Sequence, residues 1–330
     1  MAVVAVDPRL GDLVDLDVQV EKIAGGYTYT EGPLWDQRDQ SLYFVDLQFA
    51  QEGAGIMYRW TEAGGAQVFR SPSQNSNGNT FDRQGRLITC VGDAHRVVRT
   101  REDGSIETIA EAHAGRSLNN PNDVICAPNG DIIFTDPYMA LRGEPYPDPP
   151  PIPAVYRIRE SDGSVRQLTT EIGGPNGLVM TDDGSRLLVD YTRAAEVHSF
   201  DVEADGSLSN HRIFAELKAD GLSSEFTQYL KAQLAPDSPM GRLPDGMKLD
   251  SLGNLYVTSN CNEGIWVFDP EGALLGWIGV GEEHNPYMQG LGGPANLAWG
   301  GPDWKTLYVT AVTSVYRLPM KVAGQPVYSP

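Results

Sequence analysis

The 330-residue chain has few cysteines and no long apolar segment. Its three cysteines, Cys90, Cys126 and Cys261, show no paired spacing, so we expect free thiols and a reducing compartment. No window approaches the ~18 consecutive apolar residues of a membrane span, and the first residues lack the basic and apolar regions of a signal peptide. We therefore expect a cytoplasmic protein that does not bind membranes.

Positive charge is also scarce, because 25 Lys and Arg residues stand against 44 Asp and Glu residues. The net charge of −19 argues against nucleic acid or an anionic membrane surface as a partner. This charge is compatible with attracting a cation, although by itself it indicates only solubility. The chain is 41% hydrophobic and contains 36 Gly and 23 Pro, which predicts a large core with the many turns of an all-β protein.

A short segment recurs six times along the chain, each time with a polar residue at a fixed distance before an apolar strand. The polar residue precedes the strand by ten positions in three copies and by eleven in the others, with the extra residue in the turn. The polar residues are Glu31, Asn77, Asn122, Asn176, Asp245 and Asn296, and the strands are predicted to begin at Leu42, Leu87, Ile132, Leu187, Leu255 and Leu307. We call these six polar residues the ring residues.

The spacing of these strands predicts the fold. Intervals of 45 to 68 residues, with four apolar runs in most copies, are typical of the blades of a β-propeller. We predict an all-β protein, one six-bladed β-propeller domain over residues 1–330, with a divalent metal in its central channel. The segment at 17–24, DVQVEKIA, would supply the outer strand of the sixth blade. A β-sandwich is the alternative, but it does not explain six segments in phase.

Three insertions lengthen the intervals, at about 138–153, 219–243 and 281–293. The first is rich in proline, which cannot continue a sheet, and the second contains apolar residues near helical spacing. Long loops of this kind either cover a binding site as lids or lie on the rim of the propeller without a role in binding. The sequence leaves both roles open.

The ring residues predict a metal site, because the innermost strands of a propeller converge on a central channel. Two carboxylates brought together there, Glu31 and Asp245, would repel each other unless a cation lay between them. With the amide oxygens of Asn122 and Asn176 they form a set of hard oxygen donors, which suits Ca²⁺, Mg²⁺ or Mn²⁺ better than structural zinc. The coordination shell would keep positions for water or substrate. The alternative is that Asn and Asp only bond the backbone at strand starts.

The segments around these residues are similar to those of a known family. They are YTEGPLW, NGNTFDRQGRLITC, NNPNDVICAPNGDIIFTDP, GGPNGLVMTDDGSRLLV, LPDGMKLDSLGNLYVT and GGPDWKTLYVT. Together they resemble the senescence marker protein, gluconolactonase and luciferin-regenerating enzyme-like family from about Tyr29 to Leu318. The resemblance implies a six-bladed propeller with one divalent cation, for which Ca²⁺ is the first choice and Mg²⁺, Mn²⁺, Zn²⁺ or Fe²⁺ are alternatives.

The resemblance also implies roles for individual residues. Glu31, Asn176 and Asp245 match the family's direct metal ligands. Asn122 matches an Asn that binds the metal directly or through water and faces the substrate, and Asp123 matches a carboxylate just outside the ligand set. The usual activity of the family is hydrolysis of a lactone, most often a sugar lactone, to the hydroxy acid.

The implied mechanism has a metal that polarises the lactone carbonyl and stabilises the oxyanion formed by attack of water. Asp245 is the first candidate for the general base. Contact with a metal lowers the basicity of a carboxylate, so a metal-bound hydroxide is a second candidate and Asp123 is a third.

The choice of substrate depends on positions where this chain differs from the sequence pattern of the family. Asn120 stands where several sugar lactonases have an Arg that holds the substrate, and an amide cannot make the same forked contacts. The insertions contribute Tyr138, Met139, Tyr146, Phe226 and Tyr229. If these side chains line the mouth of the channel rather than pack the loops onto the rim, the enzyme favours a bulkier or less polar lactone than gluconolactone.

Two other functions fit the same residues. One is a phosphotriester hydrolase of the organophosphate-degrading type, and the other is a calcium-binding propeller without turnover. The expected partner is a small-molecule lactone, with no nucleic acid and no membrane. The sequence does not determine the native metal, the lactone or the oligomeric state.

Overall fold

The computed structural model describes residues 3–138, 151–217, 244–259, 264–281 and 293–327. In these residues the helical structure consists of α1 (Leu10–Leu13) and a 3-10 turn at Thr192–Ala194, and the remaining regular structure is β. No helix in the described ranges is long and apolar enough to cross a membrane.

The strands follow one another in short runs along the chain. In chain order they are β1 (Val3–Ala5), β2 (Glu21–Gly25), β3 (Thr30–Asp36), β4 (Ser41–Asp46), β5 (Ile56–Thr61), β6 (Gly65–Arg70), β7 (Ser76–Phe81), β8 (Leu87–Val91), β9 (Arg96–Thr100), β10 (Ile106–Ala110), β11 (Ala112–His113), β12 (Arg116–Ser117), β13 (Val124–Cys126), β14 (Ile132–Asp136), β15 (Ala154–Ile158), β16 (Val165–Thr169), β17 (Pro175–Met180), β18 (Arg186–Tyr191), β19 (Glu196–Val202), β20 (Leu208–Glu216), β21 (Pro244–Leu249), β22 (Leu255–Ser259), β23 (Gly264–Phe268), β24 (Leu274–Gly279), β25 (Asn296–Gly300), β26 (Thr306–Ala311) and β27 (Ser314–Pro319).

These strands form six antiparallel blades, which confirms the six-bladed β-propeller. From the inside outwards the first five blades are β3 to β6, β7 to β10, β13 to β16, β17 to β20 and β21 to β24, and the sixth is β25-β26-β27-β2. The predicted second strand of every blade begins within one residue of its observed start. Two small elements were not predicted: β1 extends the fifth blade beside β24, and β11 pairs with β12 as a separate hairpin.

The sixth blade closes the ring without a covalent link. Its outer strand is β2, which pairs with β27 from Glu21 opposite Arg317 to Gly25 opposite Ser314. The prediction that the segment at 17–24 supplies the outer strand of this blade is therefore confirmed for residues 21–24. Each innermost strand contacts the innermost strands of both neighbouring blades, and β25 contacts β3. The six innermost strands thus surround a central channel.

Apolar side chains fill the space between neighbouring blades. The second strands β4, β8, β14 and β22 are buried along their whole length, because each blade is covered on both faces. Between the first and sixth blades the rings of Trp35 and Tyr308 stack with centroids 5.0 Å apart. Burial of this kind, at about 25 cal/mol per Å² of apolar surface, stabilises the ring and holds the channel residues in place.

Several predicted features lie outside the described residues. These include almost all of the three insertions, with Met139, Tyr146, Phe226 and Tyr229, and also Cys261. Tyr138 is described and lies half-buried just beyond the end of β14. Cys90, which is buried, and Cys126, which is half-buried, are free thiols as expected.

Candidate functional site

Four innermost strands have an irregularity next to their ring residue. The pairing register shifts between Glu31 and Leu34 in the first blade and between Ser76 and Asn79 in the second. Equivalent shifts in the fourth and fifth blades run from Pro175 to Leu178 and from Pro244 to Met247. A bulge re-aims side chains out of the regular ladder. The bulges are therefore the local cause of the similar placement of these ring residues where the strands enter the channel.

The glycine after a ring residue allows neighbouring blades to approach each other. A Cβ atom on Gly32 would lie 2.0 Å from the backbone oxygen of Asn77, and one on Gly177 would lie 2.1 Å from that of Asp245. Any larger residue would push the next ring residue away. These glycines thus set the close spacing of the ring.

Glu31 is a buried carboxylate held by backbone and side-chain donors. Its Oε2 accepts hydrogen bonds from the backbone nitrogen of Gly32 at 2.8 Å and from Nδ2 of Asn296 at 3.1 Å. Burial and the nearby charge of Asp245 raise the pKa of Glu31 well above its usual range. An ionised Glu31 therefore destabilises the folded protein unless a positive charge lies beside it. Asn296, a ring residue outside the predicted ligand set, donates to this carboxylate.

Asn176 and Asp245 are joined directly. Nδ2 of Asn176 donates to Oδ1 of Asp245 at 2.8 Å and to Oγ1 of Thr192 at 3.1 Å. The other amide atom, Oδ1 of Asn176, is buried without a hydrogen-bond partner. Buried polar atoms almost always have a partner. An unpaired amide oxygen beside a carboxylate is thus an available metal ligand.

Asp123 lies behind the ring between the third and fourth blades. Its Oδ1 accepts from the backbone nitrogen of Val124 at 2.9 Å, and its own nitrogen donates to Oγ1 of Thr135 at 3.0 Å. The same hydroxyl donates to the backbone oxygen of Asn176 at 2.7 Å. Burial raises the pKa of Asp123, and the charge of Lys248 partly opposes this rise. Asp123 thus links the third blade to a candidate ligand in the fourth.

Asn122 and Asn120 lie on the segment that leads into β13. The backbone oxygen of buried Asn122 accepts from Gly78 at 2.7 Å, and its nitrogen donates to the backbone oxygen of Thr135 at 2.9 Å. Asn120, also buried, lines a cavity of about 20 Å³ together with Asn77, Phe49 and neighbouring residues. The structure therefore places both asparagines beside the ring, on the side of the second and third blades.

Two buried carboxylates near the ring were not predicted. Oδ2 of Asp136 accepts from the backbone nitrogen of Asn119 at 2.9 Å, and burial raises the pKa of Asp136 to about 7. Oδ2 of Asp190 accepts from the backbone nitrogen of Gly177 at 2.8 Å, and burial followed by the charge of Asp245 raises its pKa well above the usual range. Asp136 is the last residue of β14 and Asp190 is the last but one of β18, so each lies near the end of the second strand of its blade.

The donor set fits a hard divalent cation. The described ranges contain no cluster of three or more His, Cys, Asp or Glu side chains placed to bind a metal. The set here is of another kind, with two carboxylates that repel each other and amide oxygens that include the unpaired Oδ1 of Asn176. Oxygen donors of this type suit Ca²⁺ or Mg²⁺. Glu31, Asn122, Asn176 and Asp245 are therefore the candidate ligands.

A larger cavity of about 450 Å³ lies at the other end of the channel. Residues from all six innermost strands line it, among them Thr80, Lys248 and Ala298. The C-terminal segment reaches this end. There the backbone nitrogen of Gln325 donates a hydrogen bond to the backbone oxygen of Leu249, and its Nε2 donates to that of Met180, each at 3.0 Å. This cavity lies away from the paired carboxylates, so we place the chemistry at the ring.

Comparison with known proteins identifies the family of the chain. The family model described as the SMP-30/Gluconolactonase/LRE-like region matches residues 29–313. A gluconolactonase of Zymomonas mobilis is 25% identical over 96% of this chain and 85% of its own length. The pentonolactonase XacC of Haloferax volcanii is 27% identical over 85% of this chain and 80% of its own length.

Solved structures show the same fold. A gluconolactonase from Xanthomonas campestris superposes with a TM-score of 0.75 and 27% identity, covering 97% of this chain and 94% of that one. A luciferin-regenerating enzyme superposes with a TM-score of 0.72 and 22% identity, covering 94% and 99%. The similarity thus extends over the whole propeller.

Proposed function

Because the chain belongs to the SMP-30/gluconolactonase/LRE-like family, we propose that it is a lactonase that uses one divalent cation held at the ring residues. The observation that supports this most is the burial of the Glu31 and Asp245 carboxylates beside the unpaired Oδ1 of Asn176. A gluconolactonase and a pentonolactonase among the relatives support lactone hydrolysis as the reaction.

The proposed ligands are Glu31, Asn176 and Asp245, with Asn122 binding directly or through water. Ca²⁺ is the first choice of metal, and Mg²⁺, Mn²⁺, Zn²⁺ and Fe²⁺ are alternatives, since oxygen sites accept several cations. When bound, the cation would supply Lewis-acid polarisation of the substrate carbonyl and offset the repulsion between the two carboxylates.

The protein residues would move the protons. Asp245 accepts a proton from the water that attacks the carbonyl carbon, and its Oδ1 is oriented by the bond from Asn176. The ring C–O bond then breaks, and the ring oxygen leaves as a hydroxyl after taking up the proton that Asp245 accepted. The product is a hydroxy acid that releases one proton to solution at neutral pH. Asp123 is another candidate for the base, because its Oδ1 accepts from the backbone of Val124 while its Oδ2 is buried without a hydrogen-bond partner.

The substrate would lie against Asn120, Asn122 and Tyr138. Asn120 offers one amide where an Arg would offer a charged fork, so we propose a less polar lactone than gluconolactone. The chain would form a single propeller domain over residues 1–330. A cytoplasmic location is part of the same proposal.

The test is proton release from a panel of sugar, aliphatic and aryl lactones and a fluorophosphate, with chelated protein and with each divalent metal restored. We expect metal-dependent release from at least one lactone. Asp245→Asn should remove turnover, whereas Asp250→Asn, which alters a buried carboxylate in a distant turn, should not. Turnover of the fluorophosphate alone would indicate a phosphotriester hydrolase. Metal binding without any turnover would indicate a calcium-binding propeller, and either result would overturn the proposal.

A further inference from the structure

Asp190 occupies a position at which three of the other blades have a threonine. The equivalent residues of the other blades are Val45, Cys90, Thr135, Thr258 and Thr310. The hydroxyls of Thr135 and Thr258 donate to backbone oxygens of the next blade, each at 2.7 Å. The carboxyl oxygens of Asp190 instead accept, from the backbone nitrogen of Gly177 and from Oγ1 of Thr192. Asp190, which is fully buried, therefore has another role than these threonines.

A chain of hydrogen bonds runs from Asp190 to the ring. Oδ2 of Asp190 accepts from the backbone nitrogen of Gly177 at 2.8 Å, and Oδ1 faces Oγ1 of Thr192 at 3.4 Å. The Thr192 hydroxyl accepts from Nδ2 of Asn176 at 3.1 Å, and the same nitrogen donates to Oδ1 of Asp245 at 2.8 Å. The chain thus links one buried carboxylate to two candidate ligands.

The direction of these bonds determines which amide atom of Asn176 faces the site. A hydroxyl has one hydrogen, and Thr192 gives it to Asp190. The remaining lone pairs of Thr192 require a donor, and only the NH₂ end of the Asn176 amide supplies one. Oδ1 of Asp245 is also an acceptor, and the same NH₂ group donates to it. The amide oxygen of Asn176 is therefore turned away from both, and it is the atom found buried without a partner.

We propose that Asp190 and Thr192 are positioning residues that orient the Asn176 amide with its oxygen toward the metal site. A reversed amide would present its NH₂ group to the cation, which removes one ligand and adds a repulsive dipole. Residues that orient metal ligands in this way typically contribute 10- to 100-fold to metal affinity. The inference rests on the proposed metal site.

The test is calorimetric titration of chelated, metal-free protein with Ca²⁺, together with its melting temperature in chelator. Asp190→Asn replaces one acceptor oxygen with an NH₂ group that donates. Thr192→Val removes the hydroxyl with little change in shape. We expect each to raise the Kd for Ca²⁺ about 10- to 100-fold. Thr192→Ser, which keeps the hydroxyl, should restore wild-type affinity. Asp250→Asn is the matched control and should lower the melting temperature without changing the Kd.

The outcomes separate the two proposals. If wild-type protein binds Ca²⁺ and both Asp190→Asn and Thr192→Val bind it within about twofold, the positioning role is wrong while the metal site stands. If wild-type protein binds no divalent cation, the proposed function fails and the inference fails with it. Should Asp190→Asn not fold, the pair Thr192→Val and Thr192→Ser gives the same decision.

Discussion

Replacement of Glu31 by Gln should stabilise the metal-free protein and reduce the further stabilisation that a bound metal provides. The amide keeps the size of the side chain and can still accept the hydrogen bonds from Gly32 and Asn296. It removes a buried negative charge that burial and Asp245 both disfavour. The metal-free variant should therefore be more stable than metal-free wild type at neutral pH.

The sign follows from proton linkage. A carboxyl whose pKa is raised by folding binds its proton more tightly in the folded state. Its contribution to stability is full below the unfolded pKa of about 4.3 and is lost as the pH rises toward the raised folded pKa. Glutamine does not titrate, so Glu31→Gln should lose less stability than wild type between pH 4 and pH 8.

Metal should stabilise wild type more than the variant. A cation at 100 times its Kd stabilises the folded state by about 2.7 kcal/mol. At roughly 2.1 cal/mol/K per residue, this is about 4 °C in the melting temperature of a 330-residue protein. If loss of the carboxylate raises the Kd about 100-fold, which is the upper range for residues that only support ligands, the same metal concentration adds about 0.4 kcal/mol to the variant. That gain is less than about 1 °C.

The assay is differential scanning calorimetry of both proteins, in chelator and in Ca²⁺, at several pH values. Glu102→Gln is the matched control, because Glu102 is exposed in the turn between β9 and β10 and should show neither effect. A Glu31→Gln protein that melts lower than wild type in chelator, yet keeps the full rise with Ca²⁺, would refute the reasoning.

Three further predictions concern single positions near the ring. Asp245→Asn should lower kcat by about 10²–10⁴-fold, the usual contribution of a general base, measured as proton release with saturating metal; a loss below tenfold would exclude Asp245 as the base. Gly177→Ala should lower the free energy of unfolding by about 1–3 kcal/mol or more, since its Cβ would lie 2.1 Å from the backbone oxygen of Asp245; denaturant unfolding measures this, with Gly11→Ala, where a Cβ meets nothing within 4 Å, as control. Asp136→Asn should flatten the stability profile of the metal-free protein, because the raised pKa of Asp136, about 7, means that its contribution is present below about pH 4 and lost as the pH rises toward 7. This difference is on the order of 4 kcal/mol at 1.36 kcal/mol per pKa unit, and a variant profile parallel to wild type would contradict it.

The blades were predictable because their signals are local. Each second strand is an apolar run next to a turn with glycine or aspartate, and the six runs share one spacing. The strand β2 could be assigned to the sixth blade because that blade otherwise ends short of a fourth strand. The added strand β1 has only three residues, too few for a recognisable alternation.

The partners of the ring residues were less predictable because they depend on pairing between distant segments. Asn296 and Glu31 are separated by 265 positions, and only closure of the ring brings them together. Asp190 reaches Gly177 through the register of β17 and β18, which the bulge between Pro175 and Leu178 changes. Such a register shift cannot be counted from the sequence. The residue types of the ring were predictable, whereas the residues that orient them required the structure.

The most direct test of a metal-dependent lactonase is one rate measured on the wild-type protein. Proton release from the best lactone of the panel is followed with chelated protein, and Ca²⁺ is then added in excess of the chelator. We expect release at the spontaneous rate before the addition and enzymatic turnover after it. Equal rates before and after, with Ca²⁺ or any other divalent cation, would contradict the central claim.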